Sequence, residues 1–268
     1  MAAPNTTTGE TERKMTSESD FGIVIRPFNP APDSWDEVAV SRICEITAPP
    51  DLRSVLAPAP SAPLAPYLWA LPYVRLEPGT CFVLDASDIT ALAADASSAD
   101  VTGTSSLVPS SCVGYILCAP STPSFVATYE ETYLPTLPSS WAAPPPPALK
   151  WEGATLAGGV LQALHSPGSM LHSDFPALVE EYPAHLHIDL LPAFQSKGWG
   201  AKMIERLEIE LRAKGVRGVH LVMGAGNGDA ERFYGRQGFE RWGVVMDGGK
   251  SGEKGVRGDG GVVLCKKL

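Results

Sequence analysis

A chain of 268 residues with 44% apolar side chains and a net charge of -9 is long enough for a sizeable core and too acidic to suit a nucleic-acid partner. No run approaches 18 consecutive apolar residues, which excludes a helical membrane span. The polar stretch 1–20 lacks the apolar heart of a secretory signal and carries Glu10, Glu12, Glu18 and Asp20, too acidic for a transit peptide.

Residues 1–20 read as a disordered lead-in to a single domain over 21–268. Phe21 to Phe28 alternates apolar residues and predicts a first strand. Asp33 or Ser34 is placed to cap a helix running to about Ile46, with Trp35, Val38, Val40 and Ile43 on its buried side, and Pro49-Pro50 stops it. Residues 51–80 are Pro-rich and predict short helix mixed with loop. CFVLDA (81–86) and CVGYILC (112–118) predict a strand pair around a low-complexity insertion at 92–111. From 119 to 150 the prolines predict extended or irregular chain, ending in the Pro-rich loop 138–150.

From Tyr182 the texture changes. HLHIDLL (185–191) predicts a strand, followed by a Gly-bearing loop and a helix from about Gly200 to Ala213 with Met203, Ile204, Leu207 and Leu211 on its apolar face and Gly215 beyond its end. GVHLVMG (218–224) predicts another strand and 227–237 a short helix. FERWGVVM (239–246) and GVVLCKKL (261–268) predict two closing antiparallel strands. The five cysteines, Cys44, Cys81, Cys112, Cys118 and Cys265, are scattered, odd in number and form no CxxC pair. They read as buried apolar groups of a cytoplasmic or nucleocytoplasmic protein, neither secreted nor zinc-bound.

The run Gln195-Ser196-Lys197-Gly198-Trp199-Gly200 lies between a strand and a helix. Successive N–H groups in such a turn can converge on one anion, and the helix N-terminus behind them adds its own unpaired donors. Charge agrees: residues 195–268 carry +5 and residues 1–194 carry -14.

Leu190 to Gly200 resembles the acetyl-CoA signature of GNAT acetyltransferases, with its Q/R-x-x-G-x-G/A core. Asn227 to Tyr234 followed by Gly238-Phe239 resembles the family's second signature, N-x-x-A-x-x-F-Y-x-x-x-G-F. More faintly, CFVLDA, VGYILC and FVATYEETYLPTLP resemble the acetyltransferase-like domain of O-GlcNAcase-type proteins. The resemblance implies an α/β fold whose mixed, mostly antiparallel sheet is flanked by helices and splays between strands 185–191 and 218–224. It implies acetyl-CoA as co-substrate, no metal, and a small-molecule or peptide amine as acceptor. On it, backbone amides of Gln195, Ser196, Lys197, Gly198, Trp199, Gly200 and Ala201 would hold the diphosphate. Leu190 and Leu191 would pair with the pantetheine arm, Asn227 would lie beside that arm or cap its helix, and Tyr234 would protonate the departing thiolate.

Alternatives attach to several residues. Tyr234 shares a face with Ala230 and Phe233 and could be core. His185, His187 and Asp189 share one strand face. They could be satisfied buried groups, or Asp189 or His187 could act as general base. With His172 they could instead form a metal site serving a hydrolase. A module that binds CoA without chemistry is a further reading. His165 and His172 read as loop histidines at the edge of an acceptor site or at the surface, and Trp199 as a plug against the core.

Overall fold

A computed structural model describes residues 22–48, 64–87, 111–138 and 156–268. The lead-in 1–20, nearly all of the 92–111 insertion and nearly all of the 138–150 loop lie outside the described residues. The described strands form one seven-stranded sheet in the order β1-β2-β3-β4-β5-β7-β6. These are β1 (Val24–Pro27), β2 (Phe82–Asp85), β3 (Cys112–Ala119), β4 (Ala184–Leu190), β5 (Gly218–Gly224), β6 (Glu240–Arg241) and β7 (Gly261–Lys267). Only the β4–β5 pair is parallel.

That pair is also the shortest of the central ladders. β4 and β5 match only at Ala184↔Val219 and His185↔His220, while β5 pairs β7 along its whole length. Beyond His185 the two strands diverge, and a wedge opens between neighbours in the middle of the sheet.

The helices divide between the two faces. On one lie α1 (Asp36–Thr47), α2 (Ala65–Trp69), α3 (Leu71–Leu76), α4 (Thr122–Thr128) and α5 (Leu156–Leu164), whose core includes Val40, Ile43, Tyr73, Phe125 and Leu164 with Tyr115 and Leu117 of β3. A short helix, α6 (Pro176–Glu181), leads into β4. On the other face α7 (Trp199–Ala213) packs Met203, Ile204, Leu207 and Leu211 onto Ile116, Leu186 and Leu221, followed by α8 (Gly228–Arg236). β3 is buried on both faces, which is why its sequence is a continuous apolar run rather than an alternating one.

Three expectations need correction. In α1 the buried stripe is Ala39, Val40, Ile43 and Cys44, while Trp35 and Val38 are exposed. Trp35 stands at φ 61° ahead of the helix, so the helical period starts at Asp36. Residues 122–136 are helical rather than irregular: α4 continues into a π turn at Tyr129–Tyr133 and a 3-10 turn at Leu134–Thr136. Pro123 and Pro135 sit in the first turns of these pieces, where a missing N–H costs nothing, and Ser121 caps α4 by accepting from the Ser124 N–H. Finally, the expected strand 239–246 shortens to Glu240–Arg241, because Gly255 takes over beside β7 by accepting from the Val263 N–H.

Asp36 anchors α1 to the sheet. Fully buried, it accepts both Nη1 and Nη2 of Arg26 at 2.6 and 2.8 Å and the Asn29 N–H at 2.9 Å. Arg26 also reaches Asp85 through Nε at 2.6 Å. Asp36→Ala is expected to cost about 2–3 kcal/mol in urea unfolding. That is below the ~3–5 kcal/mol for a fully buried pair because Arg26 is partly exposed and keeps Asp85. A loss under 0.5 kcal/mol, roughly a surface substitution, would remove this role.

Candidate active site

The turn between β4 and α7 bends twice into the left-handed region, at Ser196 (φ 58°) and Gly198 (φ 84°). Such alternation turns consecutive N–H groups to one side. Among the described residues, the N–H groups of Ser196 through Ala201 donate to no protein acceptor; the next, Lys202, closes the first helical bond to Gly198 O at 3.3 Å. No side chain caps α7. Gln195, Ser196, Lys197 and Gly198 are exposed, and a Cβ added at Gly198 would meet no atom within 4 Å. The result is an open row of donors at the positive end of a helix, which suits a multiply charged anion.

The neighbouring side chains hold this turn in shape. Trp199 is buried as a plug, with Lys202 Nζ 4.2 Å from its ring centroid. The Gln195 side-chain amide donates to Leu190 O at 2.8 Å. Gly200 lies against α8: a Cβ there would come within 2.9 Å of Phe233 Cζ. Gly200→Ala should therefore destabilise by about 1 kcal/mol or more, overpacking outweighing the gain in helix propensity. A rise in the urea midpoint would contradict that close approach.

The donors open into a cleft of about 750 Å³ that fills the wedge. Its wall brings together Asp189, Leu190, Gln195, Ser196, Gly198, Gly200, Ala201, Asn227 and Tyr234. Asn227 caps α8, its Oδ1 accepting the Ala230 N–H at 3.1 Å. Leu191 drops out: its N–H donates to Val113 O and its carbonyl accepts from Phe194. Since Leu191 faces β3, strand alternation turns the main-chain groups of Ile188 and Leu190 toward the wedge. Ile188 carries no side-chain signal in the sequence that would have marked this position. Arg236 also reaches the cleft wall and adds positive potential, whereas Arg232 there is paired with Asp229 at 2.5 Å.

Tyr234 packs beside Phe233 and Phe239, at 5.1 and 5.6 Å between ring centroids. Burial and the nearby Asp189 charge push its hydroxyl well above the usual phenol range, so it stays protonated and able to donate. Asp189 accepts from the Tyr115 hydroxyl at 2.5 Å. Burial raises its carboxyl to about 6, and hydrogen bonds from Tyr115 and Thr47 hold it from rising further. A carboxylate at that value is ionised at neutral pH yet basic enough to take a proton.

His187 does not line this cleft. It lines a second cavity further along β4, on the strand face it shares with Asp189, together with His172, His185 and His220. His185 spends both ring nitrogens, Nδ1 on Thr122 Oγ1 and Nε2 on Tyr73 Oη, each at 2.8 Å. It has no lone pair left for a metal, and among the described residues no three His, Cys, Asp or Glu side chains are arranged to hold one. His172 is buried rather than at the surface.

The model of the Acetyltransferase (GNAT) family matches residues 122–239. The crystal structure of SsHAT is 30% identical, covering 92% of this chain and 98% of its own, with a TM-score of 0.66. Two further structures also align over 92% of this chain. One is the Drosophila melanogaster polyamine N-acetyltransferase (15% identity, 99% of its chain, TM-score 0.44), and the other the NatC complex bound to Gag peptide and CoA (10%, 98%, 0.43). At those scores they add nothing to the likeness to SsHAT. The splayed, mostly antiparallel sheet flanked by helices agrees with the expected fold.

Proposed function

The chain belongs to the GNAT acetyltransferase family, and from that membership we propose that it is an acetyl-CoA-dependent N-acetyltransferase acting by direct transfer to an amine. One observation carries the reading: an open row of unpaired main-chain donors borders the same cleft as a protonated phenol and an ionised carboxylate.

The N–H groups from Ser196 to Ala201 bind the diphosphate, and the main-chain groups of Ile188 and Leu190 pair with the pantetheine arm as an added strand. Held in this way, acetyl-CoA supplies an activated acyl group. Asp189 takes the proton of the attacking amine as the C–N bond forms. The Tyr234 hydroxyl gives its proton to the sulfur as the C–S bond breaks, so charge is balanced at both ends. No metal is assigned a role. The five cysteines, all buried and none in a disulfide, support the proposal of a cytoplasmic protein. The finer likeness to the acetyltransferase-like domain of O-GlcNAcase-type proteins rests on the runs 81–86, 113–118 and 125–138 and is part of this proposal.

Release of free thiol from acetyl-CoA in the presence of amines tests the activity. Amine-dependent release above the hydrolytic blank is expected. Tight binding of acetyl-CoA with no release for any amine would reduce the protein to a CoA-binding module.

A further inference from the structure

The cavity on the α1–α5 face of β4 has a volume of about 280 Å³. It meets β4 at Leu186 and His187, while the donor cleft meets the same strand at Ile188 and Asp189. Two pockets thus adjoin along one strand at consecutive positions, with the proposed base at their junction. Resting on the acetyl-transfer reading, we propose that this second cavity is the acceptor pocket and that it selects an apolar or aromatic monoamine over a polyamine or a lysine side chain.

The wall chemistry carries the argument. Trp69, Tyr73, Tyr129, Met170 and Leu221 make most of it apolar. Among the described residues it contains no carboxylate, and its one charged side chain is a cation, Arg257, already paired with Asp259 at 2.6 Å.

The histidines supply lone pairs rather than charge, and their hydrogen bonds fix how. Thr122 donates to Pro183 O, so it accepts from His185 Nδ1. His185 Nε2 then accepts from the Tyr73 hydroxyl, which in turn accepts from His187 Nε2 at 3.2 Å. This chain leaves His187 Nδ1 as an acceptor. His220 donates through Nδ1 to Tyr182 O at 2.7 Å, and His172 Nδ1 accepts from Arg257 at 3.4 Å. Burial holds His172, His187 and His220 at about 4 and pushes His185 well below the usual imidazole range, so all four are neutral at physiological pH.

A neutral amine can donate to such a wall. A second ammonium on the acceptor would be buried against a wall with no carboxylate of its own and with Asp259 already committed to Arg257, which is costly. The Tyr73 ring is stacked on Phe125 at 4.7 Å and T-shaped to His185 and His187, so part of it is already occupied. A volume near 280 Å³ accommodates one ring and a short alkylamine.

The test compares phenylethylamine and tryptamine with spermidine and a lysine-containing peptide in thiol release by the full chain. The aromatic amines should show kcat/KM larger by on the order of 10- to 100-fold, the value of burying one ring. Higher kcat/KM for spermidine or the peptide would overturn the inference while leaving acetyl transfer intact. Met170→Trp, or the milder Met170→Phe, fills the cavity and should lower kcat/KM for phenylethylamine about 10-fold or more, with acetyl-CoA affinity unchanged. Unaltered turnover in a folded variant would contradict the placement. Saturation-transfer NMR of phenylethylamine, with and without CoA, separates this inference from the donor reading. Binding that is lost in the filled variant supports the pocket even where no thiol is released. Absence of binding in the wild type overturns the pocket, whatever acetyl-CoA does.

Discussion

Replacing Tyr234 by Phe is expected to lower kcat by about 100- to 1,000-fold while leaving acetyl-CoA affinity within a factor of two. The ring remains, so packing against Phe233 and Phe239 is kept and only the hydroxyl is lost. That hydroxyl has no hydrogen-bond partner among the described residues, yet it borders the cleft. A half-buried phenol held protonated in that position serves no structural bond that its removal would break. The loss should therefore fall on the step in which sulfur acquires charge. Single-turnover kinetics and a calorimetric Kd separate the two effects. A variant with full activity would return Tyr234 to a packing role.

The second large effect is expected at Asp189. Asp189→Asn should reduce kcat/KM by about 100-fold or more by removing the base. In the wild type, kcat/KM should rise with pH through about 6 as the Asp189 carboxyl ionises. If His187 were the base, that limb would lie near 4 instead. The Asn variant should lose the limb near 6 altogether. Stability gives an independent readout with a definite sign. The folded state raises this carboxyl from 3.8 to about 6, so native protein binds the proton more tightly than unfolded chain. Stability is therefore lost as pH rises across that window, and the penalty is complete at pH 7. Removing the charge should make the Asn variant more stable at neutral pH by about 1–3 kcal/mol, at ~1.4 kcal/mol per pKa unit. Lower activity joined to higher stability would place Asp189 among groups kept for chemistry at a structural cost. A variant that is both inactive and destabilised would point to a bracing role for Asp189 under Tyr115.

The donor half of the site was legible in the sequence because its chemistry is local. A strand, a turn with Gly198 and Gly200, and a helix are contiguous, and main-chain donors need only the right backbone path. Asp189 and Tyr234 could be placed because each belongs to an element flanking the wedge. The acceptor cavity was not legible. Trp69, Tyr129, Met170, His187, Leu221 and Arg257 come from six separate stretches, and no spacing links them. His172 read as a loop histidine because nothing nearby in sequence signals that it packs 5.5 Å from His220. The prolines of 119–138 misled for a different reason. Composition alone cannot tell a proline that breaks a helix from one that begins it, and here Pro123 and Pro135 begin helical pieces. Leu191 was assigned to the pantetheine without its pairing to Val113, which depends on the register of a strand more than seventy residues away.

Calorimetric titration of the full chain with acetyl-CoA, alongside Gly198→Val, reads the donor turn most directly. Valine cannot adopt φ 84° without strain, so the row of N–H groups would be re-aimed. One site with a roughly micromolar Kd in the wild type, weakened at least ~10-fold in the variant, is the predicted result. No binding by the wild type, or equal binding by a folded Gly198→Val protein, would contradict it.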